Sequence, residues 1–574
     1  VRRNFRQGKA LAAVVAAGAV AAGLLSGCSS NAPVPSIGYA IDNLITTYNA
    51  DTVVGATTGA QQAFERVLTG FSYIGPEGQL VADTDYGTAN VVPGDAQTIQ
   101  YRLNPSGTYS DGVPTTCEDL VLAWASHSGR FTKPDGHGGI VPLFQTANNA
   151  GYSDIERVQC QPGSKDATVV FRSGKGFAQW RELFSATDLM PAHVVARVAN
   201  IPNIVSAIQT GNPAEMQRIA DFWNNGWKLT PGNIDTSLLP SSGPYRIESY
   251  SANDGLVLVT NEHWWGNKPE TPRIVIWPKN IDLKAKISAS AVEVVDVGAG
   301  SIGGLKLDGF TSQNVPSRSS EQLVLSTSGV FASADARRAF ALCVPRQQLF
   351  DKLGHPGYNR TQGLGSGVLN SRIVQSDTLI YPAVSAEGTK FPGGDVPGSN
   401  AALVKAAVPN PTVRIGYLAP DERRAQTVAT IAQSCKPAGI NVVDAGSPTF
   451  DPEALRAGQV DAVLAGTASA PGAAGADFNT DALFALRTGT GTNFGRFSNP
   501  RYDALVDQLA ADGSPDAQLN NSTEAENLLW GEMPSIPLFN EPRTVAFANG
   551  MQNTVVNASK AGAGWNMDRW VLER

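Results

Sequence analysis

Lysine and arginine form no block after the first ten of the 574 residues, and the formal net charge is -7, so the electrostatic footprint of a nucleic-acid-binding protein is missing. Histidine is scarce, with five scattered copies, and there is no GxSxG and no HExxH. Ser173-Gly174-Lys175-Gly176 lacks both the upstream glycine spacing and the Ser/Thr after lysine of a phosphate loop. No catalytic constellation remains, so an enzyme is not expected, and neither is a cofactor. The five cysteines form no CxxC pair, which removes the usual zinc and redox arrangements. His127, Asp135 and His137 invite a metal reading, but a spacing of ten within a Gly/Pro-rich stretch points to solvated loop residues, and no metal is expected.

What is present begins with an export signal. Arg2, Arg3, Arg6 and Lys9 form a charged start, and Ala10 to Leu25 follows as sixteen uncharged small and apolar residues, short of the roughly 20 that a spanning helix needs. Leu24-Leu25-Ser26-Gly27-Cys28 matches the lipobox of bacterial lipoproteins. Residues 1–27 are therefore expected to be a signal peptide, Cys28 the lipidated residue and 28–35 a tether, with the folded part anchored on the extracytoplasmic face of the cell membrane. In that oxidising location Cys117, Cys160, Cys343 and Cys435 are better read as structural disulfides than as free thiols, and three pairings are possible.

Along the chain, hydrophobic residues make up 42%, enough for sizeable cores. Ser36 to Ala40 and Ile99 to Leu103 have strand patterns, and Thr115 or Thr116 can cap a helix through Leu122, Trp124 and Ala125. Ser126 to Asn149 is expected to be a long polar loop, and Pro382 to Asn410, rich in Pro and Gly, a surface loop. Tyr245 to Tyr250 and Leu256 to Thr260 form a hairpin about Asn253-Asp254-Gly255, residues that tolerate positive φ. Thr412 to Leu418, Glu422 to Gln433 and Ile440 to Val443 spell a βαβ unit.

Ser242-Gly243-Pro244-Tyr245 before that hairpin, and Asn261-Glu262-His263-Trp264-Trp265-Gly266-Asn267-Lys268-Pro269 after it, resemble the "GTGPY" and "NPDYWGGKP" signatures of the family 5 bacterial extracytoplasmic solute-binding proteins, the receptors of dipeptide, oligopeptide and nickel ABC importers. Tyr109 to Leu120, Ser333 to Leu342 and Asn493 to Val506 are similar to further segments of that family. The resemblance implies an α/β, two-lobed periplasmic-binding-protein fold (class II-like) joined by two crossover segments, with lobe I at 36–279 and 537–574 and lobe II at 280–536. Keeping each disulfide within one lobe favours Cys117 with Cys160 and Cys343 with Cys435. The resemblance also implies a ligand enclosed between the lobes, a small molecule or peptide, and an ABC permease as partner. Ala476-Asp477-Phe478 looks like the family's "ADY", whose Asp holds the ligand's amino group, so Asp477, Phe478 and Asp481 are the ligand-binding candidates; an alternative role for Asp477 is a helix N-cap. Val1, read as a non-ATG start, and the Ala/Gly-rich composition also resemble a mycobacterial lipoprotein of this family associated with phosphatidylinositol mannoside and lipoarabinomannan synthesis. For such a protein the small-residue loop around Ala470 to Gly475 would suit a partner or a glycan head group better than a peptide. This implies a second expectation: a glycan or glycolipid head group as ligand and an envelope-biosynthesis membrane enzyme as partner.

Overall fold

A computed structural model describes residues 34–355, 357, 363–467 and 480–573. Its frame is one ten-stranded mixed sheet. The strands in chain order are β1 (Ser36–Ile41), β2 (Tyr245–Ser251), β3 (Gly255–Thr260), β4 (Arg273–Trp277), β5 (Val294–Gly298) and β6 (Phe310–Leu325), then β7 (Thr412–Gly416), β8 (Asn441–Asp444), β9 (Ala462–Thr467) and β10 (Ser535–Ala548). Their spatial order is β2-β3-β4-β1-β5-β10-β6-β9-β7-β8. β1 runs parallel to both β4 and β5, so its backbone has no solvent edge, and its side chains Ile37, Tyr39 and Ile41 are buried in the core. At the other end β7 lies parallel to β8 and β9, the βαβ unit that the sequence pattern shows.

The two long strands β6 and β10 join these ends as an antiparallel ribbon. Phe310 to Pro316 of β6 pair with Pro542 to Ala548, alongside β5; Ser320 to Val324 pair with Ser535 to Asn540, alongside β9. The register slips between Pro316 and Ser320. Pro316 faces Pro542 there, so neither side of the pair has an N–H to give the ladder. β5 lies beside β1.

Local chemistry explains most elements. In the hairpin β2–β3, Gly255 adopts φ 73° at the turn, where a side chain would be strained. Gly243, in the turn before β2, lies where a Cβ would meet the Arg66 carbonyl oxygen at 2.6 Å. Thr69 donates from its N to Ser242 Oγ and from its Oγ1 to the Ser242 carbonyl beside it, and Trp265 Nε1 donates to the Asp85 carbonyl at 2.6 Å, so Ser242 to Tyr245 and Trp264 to Gly266 tie the hairpin to the chain around Thr69 and Asp85.

Two expectations are corrected. The stretch 126–149 is not all loop: helix α1 (Cys117–His127) continues through His127, and a hairpin pairs Thr132–Pro134 with Ile140–Pro142. Ser126 Oγ donates to the Ala123 carbonyl, so this buried hydroxyl is paired at the end of the helix. The stretch 382–410 contains helices, chief among them Val396–Ala406, capped by Asp395 through Gly398 N and bound by Ser399 Oγ to the Ala339 carbonyl. Proline in the first turn of that helix starts it instead of breaking it. Cys117 is bonded to Cys160 and Cys343 to Cys435. No helix among the described residues is long and apolar enough to cross a membrane. Residues 1–33, with Cys28, lie outside the described residues.

Candidate functional site

A cavity of about 440 Å³ opens beside the ribbon where the two halves of the sheet meet. Ser317, Ser319, Glu541 and Arg543 of the ribbon line it; segments following β1 and α1 supply one wall, and residues of β9 with the elements around Arg424 and Phe494 supply the other. Its size lies within the roughly 300–1,000 Å³ usual for small-molecule sites.

The wall from the β1 half carries most of the acid. His127 Nε2 lies 3.3 Å from Asp51 Oδ2, its Nδ1 lies 2.7 Å from the Ala123 carbonyl, and its ring stacks on Tyr152. His127 is thus buried within the site and not solvated in a loop, as the sequence reading had it. Burial by itself lowers the His127 pKa, but the hydrogen bond and charge of Asp51 outweigh that and leave it raised. Asp188 accepts from Ser185 N and Oγ, both at 3.0 Å; burial first, then the charge of Asp51, push its pKa up to about 8. Glu182, which accepts from Thr480 Oγ1 at 3.2 Å, is raised well above the carboxylate range, by burial first and then by the charge of Asp481.

Of the three sequence-derived ligand candidates, Asp481 lines the cavity, and its two oxygens are engaged: Oδ1 accepts from Asn148 Nδ2 at 3.2 Å and Oδ2 from Lys560 Nζ at 3.0 Å. Asp477 and Phe478 lie outside the described residues. Gly466 and Thr480, before and after them in the chain, both line the cavity.

Arginines neutralise the opposite wall. Glu321, fully buried in β6, is shared by Arg423, which ion-pairs with it, and Arg424, whose Nε lies 3.0 Å away. Arg424 also reaches Glu541 at 3.0 Å, and Arg543 pairs with Asp296. Burial raises the Glu541 pKa, and the nearby guanidinium of Arg424 works against it. No group of metal-ligating side chains gathers among the described residues.

Sequence reasoning missed Asp51, Asp188, Arg424 and Lys560, because the site draws one residue from each of several distant stretches. One signal was available for Lys560: it is the sole charged side chain between Met551 and Met567.

Comparison with known proteins gives a consistent picture. The family profile "Bacterial extracellular solute-binding proteins, family 5 Middle" matches residues 86–483. The lipoprotein Mb2616c of Mycobacterium bovis is 39% identical over 579 residues, spanning 100% of this chain and 99% of that protein. The oligopeptide-binding protein OppA of the same organism is 22% identical over 512 residues, 84% of this chain and 75% of that one. Likeness to the probable monoacyl phosphatidylinositol tetramannoside-binding protein LpqW of Mycobacterium tuberculosis reaches 26% over 195 residues, 33% of this chain and 23% of that one. Among solved structures, the periplasmic EDTA-binding protein EppA superposes with a TM-score of 0.73 at 19% identity, covering 94% of this chain and 97% of that one. AppA of Bacillus subtilis, in complex with a nonapeptide, gives 0.71 at 11% identity, covering 94% and 100%.

Proposed function

The chain belongs to the family 5 bacterial extracellular solute-binding proteins, and from that premise we propose that it is a lipid-anchored extracytoplasmic receptor that encloses a small peptide-like solute in the cavity beside the β6–β10 ribbon and delivers it to an ABC permease. The observation that carries this reading is the composition of the cavity wall, drawn from both halves of the sheet and from the ribbon between them. A solute touching both walls stabilises the arrangement in which they face each other, and a permease can distinguish that arrangement from an open one. We place the lobe boundary on the ribbon, at residues 316–320 and 540–543, where the register slips and the partner strands change. Anchoring is assigned to Cys28; the 39% identical relative bears the name lipoprotein. We assign Asp477 and Phe478 to the solute because Gly466 and Thr480, before and after them in the chain, line the cavity.

The test is native mass spectrometry of the purified chain from residue 29, with identification of whatever is released on denaturation. A ladder of short peptides is the expected result. Release of a mannosylated lipid would replace the peptide reading with the glycolipid one. A chain that carries nothing and shows no heat of binding with a tripeptide library would end the receptor reading.

A further inference from the structure

We infer that Lys560 sets the charge selectivity of the cavity: its ammonium fills the cation position of the acidic wall, so that the end of a solute reaching this wall is uncharged. The inference rests on the cavity being the binding site, as proposed above.

Four carboxylates, Asp51, Glu182, Asp188 and Asp481, line this wall. They come from three separate parts of the chain, and Lys560 comes from a fourth. Its Nζ lies 3.0 Å from Asp481 Oδ2, with the side chain 28% exposed. The charges of Asp481, Asp188 and Asp51 all act on it, and together they hold its pKa above the ordinary lysine value although burial pulls the other way. Lys560 therefore stays charged. His127, paired with Asp51, is the other basic group on this wall. Glu182 and Asp188 hold no cation among the described residues, and burial raises both well above the ordinary carboxylate range, so an added solute cation would have to displace Lys560 or His127 or drive a proton from one of these two carboxyls. A solute carboxylate would meet four acids.

The backbone presenting Lys560 is held from several sides, so the ammonium is placed and not merely tethered. Asn557 Nδ2 donates to the Ile74 carbonyl at 3.0 Å and Ser559 N to Asn557 Oδ1 at 2.8 Å. The Ala558 carbonyl accepts from Arg318 N at 2.8 Å, at the register slip of β6, and Ala563 N donates to Asp296 Oδ2 at 2.8 Å. A lysine wanted only for an ion pair needs no such strap. Fixing the main chain on both sides limits the freedom lost when the ammonium is held in the cavity.

The test uses the purified chain from residue 29 as wild type, K560A, K560Q, K560R and the double variant K560A/D481N. Propylammonium, which replaces the part of the side chain that alanine lacks, is expected to raise the melting temperature of K560A while leaving wild type and K560A/D481N unmoved. A K560A chain that folds only with the amine present gives the same result in stronger form. For K560Q, which keeps most of the side-chain volume, the probe is methylammonium. In a second arm, the ratio of affinities for trilysine and trialanine is expected to shift roughly tenfold towards trilysine in K560Q and to stay at the wild-type value in K560R. Equal amine responses in wild type, K560A and K560Q would overturn the inference, as would an unchanged peptide ratio in K560Q. If wild type and variants bind neither peptide while the amine response appears, the peptide reading of the cavity fails and the assignment of Lys560 stands.

Discussion

The hydroxyl of Tyr152 donates to Oδ2 of Asp188 at 3.3 Å, which ties the ring that stacks on His127 to a carboxyl whose pKa burial pushes up to about 8. Asp188 binds its proton more tightly folded than unfolded, between its ordinary 3.8 and about 8. In that window the native state carries the extra proton, so stability attributable to Asp188 falls as pH rises from about 4 to about 8. His127 acts in the same direction: its raised pKa gives stability that is complete below the unfolded value and lost as pH rises through the folded one. Urea unfolding of wild type should therefore show stability declining across this range, and D188N should show a shallower decline. Parallel profiles would refute the assignment.

The bond between Cys343 and Cys435 closes a separation of 92 residues, against 43 for Cys117 and Cys160. In the chain-entropy model these are worth roughly 4.6 and 4 kcal/mol. Replacing Cys343 and Cys435 together by serine should lower the unfolding free energy by about 2–5 kcal/mol, and the Cys117 and Cys160 pair by slightly less. Denaturant midpoints of the two double variants, measured without reductant, decide the order.

Asp477 precedes Asp481 in the chain, and the oxygens of Asp481 are taken by Asn148 and Lys560. Asp477→Ala should weaken binding of a peptide identified by native mass spectrometry by roughly ten- to a hundredfold, the worth of a charge-assisted hydrogen bond, with the melting temperature little changed. If Asp477 is instead a helix cap, the variant should lose about 1 kcal/mol of stability and keep its affinity. Calorimetry and thermal melting of the same sample separate the two.

What could be read from the sequence was what is locally determined. The turn at Asn253 to Gly255, the helix that starts after Thr116 and the strand through Ile99 to Leu103 depend on a few neighbouring residues, and each stands where the pattern places it. His127 went astray because a polar residue after a helix looks solvated, and only the packing of Tyr152 and Trp223 around it says otherwise. The helix Val396–Ala406 was hidden because its Pro397 and Gly398 suggest a loop until Asp395 is seen as the cap. The cavity itself left almost no trace. Asp51, Asp188 and Lys560 are separated by more than a hundred residues each and meet only through the tertiary fold.

The facing prolines 316 and 542 have a mechanical consequence. Two strands joined by a ladder form a leaf spring, stiff along most of its length. Where both backbones lack a donor the spring is thinned, so bending concentrates at that point. Bending between the two halves of the sheet is therefore governed by two proline positions that lie far apart in the sequence.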